Sequence, residues 1–132
     1  MAMDMRSMVA ALAQLPESAR RTMMRERLEQ FASLSEPERK GAMGQMMEAV
    51  GALGRDDQKK LVSSRTEALA ELPDSARMAL MQTHLGLLMQ AGPERMKAEM
   101  ALIGEIAPQL SPTAQQAVQQ MMKLMAPPPT GS

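Results

Sequence analysis

Cysteine is absent from the 132 residues. That excludes disulfides, thiolate zinc sites and thiol catalysis. Tryptophan and tyrosine are absent too, and Phe31 is the only aromatic residue. No Tyr or Trp is therefore present to stack on unpaired nucleic-acid bases. An excess of charge of either sign is also missing, because 15 basic and 15 acidic residues cancel. Nucleic-acid binding needs clustered positive charge to displace counterions, so nucleic acid is not an expected partner. Balanced charge likewise gives little attraction to an anionic lipid surface. No apolar run approaches the roughly 20 residues of a membrane span. Asp4 and Arg6 interrupt the start of the chain, which therefore lacks the pattern of a secretory signal. The expected location is the cytoplasm.

Large aliphatic residues are scarce as well. Leu, Ile, Val and Phe supply 22 of the 132 residues. That is below the share of about a fifth that marks disorder when net charge is also high. Here net charge is zero, and 17 methionines restore an ordinary apolar content. A core of Met, Leu and Ala is expected. Such a core is polarizable and fixes side-chain positions less sharply than one of Leu, Ile and Phe.

The strongest pattern is an internal repeat. Ala11-Leu-Ala-Gln-Leu-Pro-Glu-Ser-Ala-Arg20 matches Ala68-Leu-Ala-Glu-Leu-Pro-Asp-Ser-Ala-Arg77 at eight of ten positions, 57 residues apart. Pro37-Glu38-Arg39 recurs as Pro93-Glu94-Arg95 at an offset of 56, and Leu53 and Gln58 fall opposite Leu110 and Gln115. Matches in order at nearly one offset point to duplication of a three-helix unit, with repeats over 11–67 and 68–125 in a single domain, 1–125.

Punctuation divides the chain into about seven short helices. Met5, Met8, Val9, Leu12 and Leu15 form a helical stripe that Pro16 ends. Pro16 suits the first position of a second helix, with Met24, Leu28 and Phe31 inward. Ser35-Glu36-Pro37-Glu38 reads as a capping box, Glu38 reaching back to the Ser35 N–H. The third helix carries Met43, Met46, Met47 and Val50 and stops near Gly51 to Gly54. The fourth starts around Asp56 and carries Leu61, Val62, Arg65, Leu69 and Leu72. The fifth, with Met81, Leu85 and Leu88, closes at Gly92-Pro93. The sixth carries Met96, Leu102, Ile103 and Ile106. Ser111-Pro112 begins the seventh, with Val118, Met121, Met122 and Met125. The proline-rich tail, 126–132, is expected to be disordered. Short connections predict near-antiparallel packing of successive helices. The expected architecture is all-α, either a short α-solenoid-like stack or a closed helical bundle.

No phosphate loop, nucleophile elbow or paired catalytic carboxylates occur, so no enzymatic activity is expected. His84, the only histidine, is expected at the edge of an apolar stripe with its tip in water. Arg20, Arg21, Arg25 and Arg27 form a basic run read as a solvated face, tied by Glu17–Arg21 and Arg25–Glu29 pairs.

The methionines carry the functional expectation. Flexible thioether side chains suit surfaces that repack around apolar partners. The chain is therefore expected to be a non-enzymatic protein–protein interaction or assembly module. It would bind another helical protein or itself, as a homo-oligomer, through Met23, Met46, Met47, Met81 and Met89. A different class is copper(I) binding or storage, since thioethers suit a soft ion. Its ligands would come from Met43, Met46, Met47, Met81, His84, Met121, Met122 and Met125. Otherwise no cofactor is expected. A third reading is reversible attachment of amphipathic helices to a lipid surface.

Overall fold

The computed structural model describes residues 4–125. The tail expected over 126–132, and Met1 and Met3, lie outside the described residues. Within them seven α-helices follow one another: α1 (Met5–Ala13), α2 (Glu17–Ala32), α3 (Glu36–Gly51), α4 (Arg55–Ala70), α5 (Asp74–Ala91), α6 (Pro93–Ile106) and α7 (Pro112–Met125). A 3-10 turn, Ala107–Gln109, joins α6 to α7. There is no strand among the described residues. The protein is all-α, as its periodicity predicts.

Local chemistry sets the boundaries. Ser35 accepts from the Glu38 N–H at 3.4 Å and donates its hydroxyl to the Glu38 carboxylate at 2.8 Å. The box thus closes through Ser35 Oγ and not through the expected Ser35 N–H. Asp4 caps α1 by accepting from the Ser7 N–H at 2.7 Å, and Ser111 caps α7 by accepting from the Ala114 N–H at 3.2 Å. Pro16 and Pro73 are extended and stand just before α2 and α5, one position earlier than expected of Pro16. The α5–α6 corner turns on Gly92 alone, whose φ of 105° is a conformation that L side chains rarely adopt.

Side chains also tie off the helix ends, whose last carbonyls have no partner within the helix. Arg20 donates to the Leu15 carbonyl at 2.9 Å and Arg77 to that of Leu72 at 2.8 Å. Gln58 donates to Leu53 at 2.9 Å and Gln115 to Leu110 at 3.1 Å. In each pair, residues matched across the sequence offset make the same bond.

Packing departs from the expected pairing of successive helices. α4 rests mainly on α2 and α7, and also touches α1, α3 and α6; α3 bridges α1 and α5. The closest pairs, α2 with α4, α4 with α7, α1 with α3 and α3 with α5, are two or three places apart in sequence. The corners explain this. Each of the first four passes from a helical C-cap to an extended residue (Pro16, Ser35, Gly54 or Pro73). That geometry sends the next helix away from its predecessor instead of back along it.

α4 lies between two cores. Leu61 joins Val9, Met24, Leu28 and Phe31 in one, while Val62 joins Leu102, Ile103 and Ile106 in the other. Successive helical residues point about 100° apart, so one turn of α4 serves both. Its small polar residues let neighbours approach. Buried Ser64 accepts from Arg20 Nε at 2.8 Å, and buried Thr66 donates to the Val62 carbonyl at 2.7 Å.

Arg20 corrects the reading of the basic run. It is buried, because Ser64 and the Leu15 carbonyl satisfy its guanidinium. Arg21 pairs with Glu71 at 2.5 Å rather than with Glu17, whereas Arg25 does meet Glu29 at 3.0 Å.

Candidate functional site

Three helices each carry one polar residue on an otherwise apolar stripe. On α4 it is Arg65, beside Leu61, Val62 and Leu69. On α5 it is His84, beside Leu80, Met81 and Leu88. On α6 it is Glu99, beside Leu102, Ile103 and Ile106. Packing of α6 against α4 and α5 gathers them. His84 Nε2 is hydrogen-bonded to Glu99 Oε2, and Arg65 Nη2 lies 3.7 Å from Glu99 Oε1. His84 and Glu99 are buried, while Arg65 keeps 24 % of its side chain exposed.

His84 therefore does not point its tip into water. The acidic neighbour it lacks along the chain reaches it from the next helix, 15 positions on. Burial pushes the Glu99 carboxyl up. The Arg65 charge, then the hydrogen bond and charge of His84, then the Arg95 charge outweigh burial and bring it down to about 2. Glu99 is thus an ionised carboxylate held inside the protein by cationic neighbours.

A cleft of about 620 Å³, open to solvent, adjoins this cluster. Met43 from α3, Met81 from α5, Met100 from α6, and Met121 and Met122 from α7 line it, together with Arg65 and His84. A second cleft of about 420 Å³ is lined by Met24, Met43, Met46, Met47 and Phe31. The two clefts share Leu28, Met43, Arg65 and His84.

The methionines expected at a partner surface divide accordingly. Met23 and Met89 are 48 % and 68 % exposed and line neither cleft. Met81 and Met46 are 1 % and 7 % exposed, so they are core side chains that face a partner only as cleft walls. Met47 is half-buried and lines the second cleft. Of the residues considered for copper, Met43, Met81, His84, Met121 and Met122 share the first cleft, and Met46 and Met47 line the second. The Met125 side chain lies outside the described residues. His84 Nε2, the nitrogen facing Glu99, is already engaged. Among the described residues no group of three or more His, Cys, Asp or Glu side chains is placed to hold a metal ion.

Met100 and Glu99 escaped sequence reasoning. The signal for Glu99 was present: with Met96, Leu102 and Ile106 it completes a run at helical spacing, and it is the one acid in that stripe. No known protein family, curated protein or solved structure matches the chain. Among the described residues no helix is long and apolar enough to cross a membrane.

Proposed function

We propose that the protein is a non-enzymatic binding module that seats the apolar face of a partner protein's helix in its methionine-lined cleft. The observation that carries this reading is the gathering of five methionines from four helices on one solvent-open cleft. Unbranched thioether chains adjust to a range of apolar shapes at small cost, and a groove between helices accepts an amphipathic helix by its i, i+3, i+4 and i+7 side chains. The polar cluster beside the cleft does not argue for turnover. His84 is spent on Glu99, and the nearby Thr66 hydroxyl is donated to a backbone carbonyl.

The test is NMR of methionine methyl groups during titration with a synthetic amphipathic helix of leucine, alanine and glutamate. The Met43, Met100, Met121 and Met122 methyls should shift and those of Met23 and Met89 should stay. Met122→Glu, at a side chain 42 % exposed, should weaken binding without unfolding the chain. Shifts confined to Met23 and Met89 would move the partner surface out of the cleft.

Copper(I) binding is the second reading, supported by the same convergence of thioethers on one cleft. Competition against a Cu(I) chelator distinguishes it. Metal retained by the protein, with shifted resonances of the same methyls, would favour copper over a helical partner. Metal lost to micromolar chelator would remove it.

A further inference from the structure

A third cleft, of about 660 Å³, opens between α3, α4 and α6. It is continuous in lining with the second cleft through Met47, Val50, Val62 and Arg65. Its chemistry is different. Arg55, Arg65 and Arg95 line it, and among the described residues Glu99 is the only acid on its walls.

The guanidinium groups are poorly used. Arg65 makes no hydrogen bond among the described residues, only the 3.7 Å ion pair to Glu99. Arg95 spends one N–H, from Nη2 to the Met47 carbonyl at 2.9 Å. Its counterpart across the sequence offset, Arg39, donates to the carbonyls of Phe31 at 3.2 Å and Leu34 at 3.0 Å. Arg95 does not close its own helix corner in that way, because the corner turns on Gly92. It lies instead across α3, where a Cβ at Gly51 would come within 2.7 Å of its Nη1. The guanidinium holds this position because position 51 is glycine.

Charge completes the argument. Glu99 offsets one cation, and His84 already shares that carboxylate. Arg55 is held at the rim by Glu105 at 2.6 Å. Arg65 and Arg95 therefore face the cleft with unfilled donors, and the three arginines exceed the Glu99 and Glu105 carboxylates by one positive charge. Guanidinium forks of this kind match the oxygens of a phosphate group, each contact being a charge-assisted hydrogen bond.

We infer that the α3–α4–α6 cleft is an anion site, in which Arg65 and Arg95 bind a phosphate group. This site shares Arg65 with the methionine-lined cleft, but Arg95 and Gly51 line it and not that cleft, so its test does not depend on a helix binding there.

The experiment titrates the intact protein with inorganic phosphate, at ionic strength held constant with sodium chloride, while recording arginine Nε–H and backbone amide resonances. Saturable shifts at Arg65, Arg95 and Gly51 are expected. Arg95→Gln should weaken binding about tenfold or more, and Lys97→Gln, at an exposed position on the same helix, should leave it unchanged. A parallel arm uses phosphatidylcholine vesicles containing phosphatidic acid. Binding of the free ion alone assigns the site to soluble phosphates, and binding of the vesicles alone assigns it to a lipid headgroup. No saturable shift at these residues in either arm, or equal weakening by Lys97→Gln, overturns the proposal. The titration of the unaltered chain decides the matter even if Arg95→Gln fails to fold.

Discussion

At the scale of single residues, Glu99 is the most consequential group outside the apolar core. A carboxylate inside a protein is costly to desolvate unless cations and hydrogen-bond donors surround it. Arg65 from α4 and His84 from α5 do so here, with Arg95 on its own helix. Its pKa of about 2, against 4.5 for the free side chain, fixes the sign of the pH effect. The folded state binds the proton less readily than the unfolded chain, so the stabilisation is complete above pH 4.5. It is lost as pH falls from there toward 2, and amounts to on the order of 3 kcal/mol. Urea unfolding of the parent and Glu99→Gln at pH 7 and pH 3 measures this. The variant should be less stable by about 2–4 kcal/mol at pH 7, and the gap should narrow at pH 3. A gap independent of pH would show that the carboxylate charge contributes nothing. All three members of the cluster were legible as polar intruders on apolar stripes. That they meet was not, because 15 to 34 positions separate them along the chain. At the repeat offsets they fall opposite Met122, Arg27 and Met43, so the cluster has no second copy, and it joins Arg65 of the first repeat to His84 and Glu99 of the second.

At the scale of elements, the helices are specified by signals within a few residues of each end. Ser35 and Ser111 supply side-chain caps, and the prolines following them fit the first turn. Replacing Ser35 by alanine should cost about 1 kcal/mol, read from thermal or urea unfolding, because the hydroxyl both accepts from the Glu38 N–H and holds the Glu38 carboxylate. α2 shows where element-level reading falls short. Its Met24, Leu28 and Phe31 are buried as their spacing predicts, yet Arg20 is buried as well. Ser64 arriving from α4, together with the Leu15 carbonyl at the α1 corner, makes that burial tolerable. α5 differs more. Leu85, expected inward, is half-buried, and Leu80, His84 and Leu87 take the interior, because α5 packs against α2, α3 and α6 together.

At the scale of the whole molecule, α4 organises the fold. By its sequence it is a polar helix, with Arg55, Asp56, Asp57, Lys59 and Lys60 in its first two turns. Its second half is nonetheless enclosed on several sides, with Leu61, Val62, Ser64, Thr66 and Ala68 all buried. Truncating Leu61, 1 % exposed, to alanine should cost about 2–5 kcal/mol. Because the adjoining residue anchors the second core, amide exchange should quicken in α6 as well as in α2. Faster exchange confined to α1, α2 and α3 would show that the two cores open separately.

The class, the number of helices and nearly every boundary were readable along the chain, since each depends on backbone preferences and caps acting over one turn. Methionine takes a smaller part of the interior than its abundance predicts: among the described residues Met24, Met46 and Met81 are buried, beside a larger set of leucines and alanines. Which methionines are wall and which are surface, and that helices two and three places apart pack together, came from the packing. Only it decided that Arg65, His84 and Glu99 converge beside a cleft. The physical reason is that a helical stripe states which residues turn inward but not which other stripe they meet. That is settled by the direction each corner gives the chain and by which helices can approach closely over small residues such as Ser64 and Thr66.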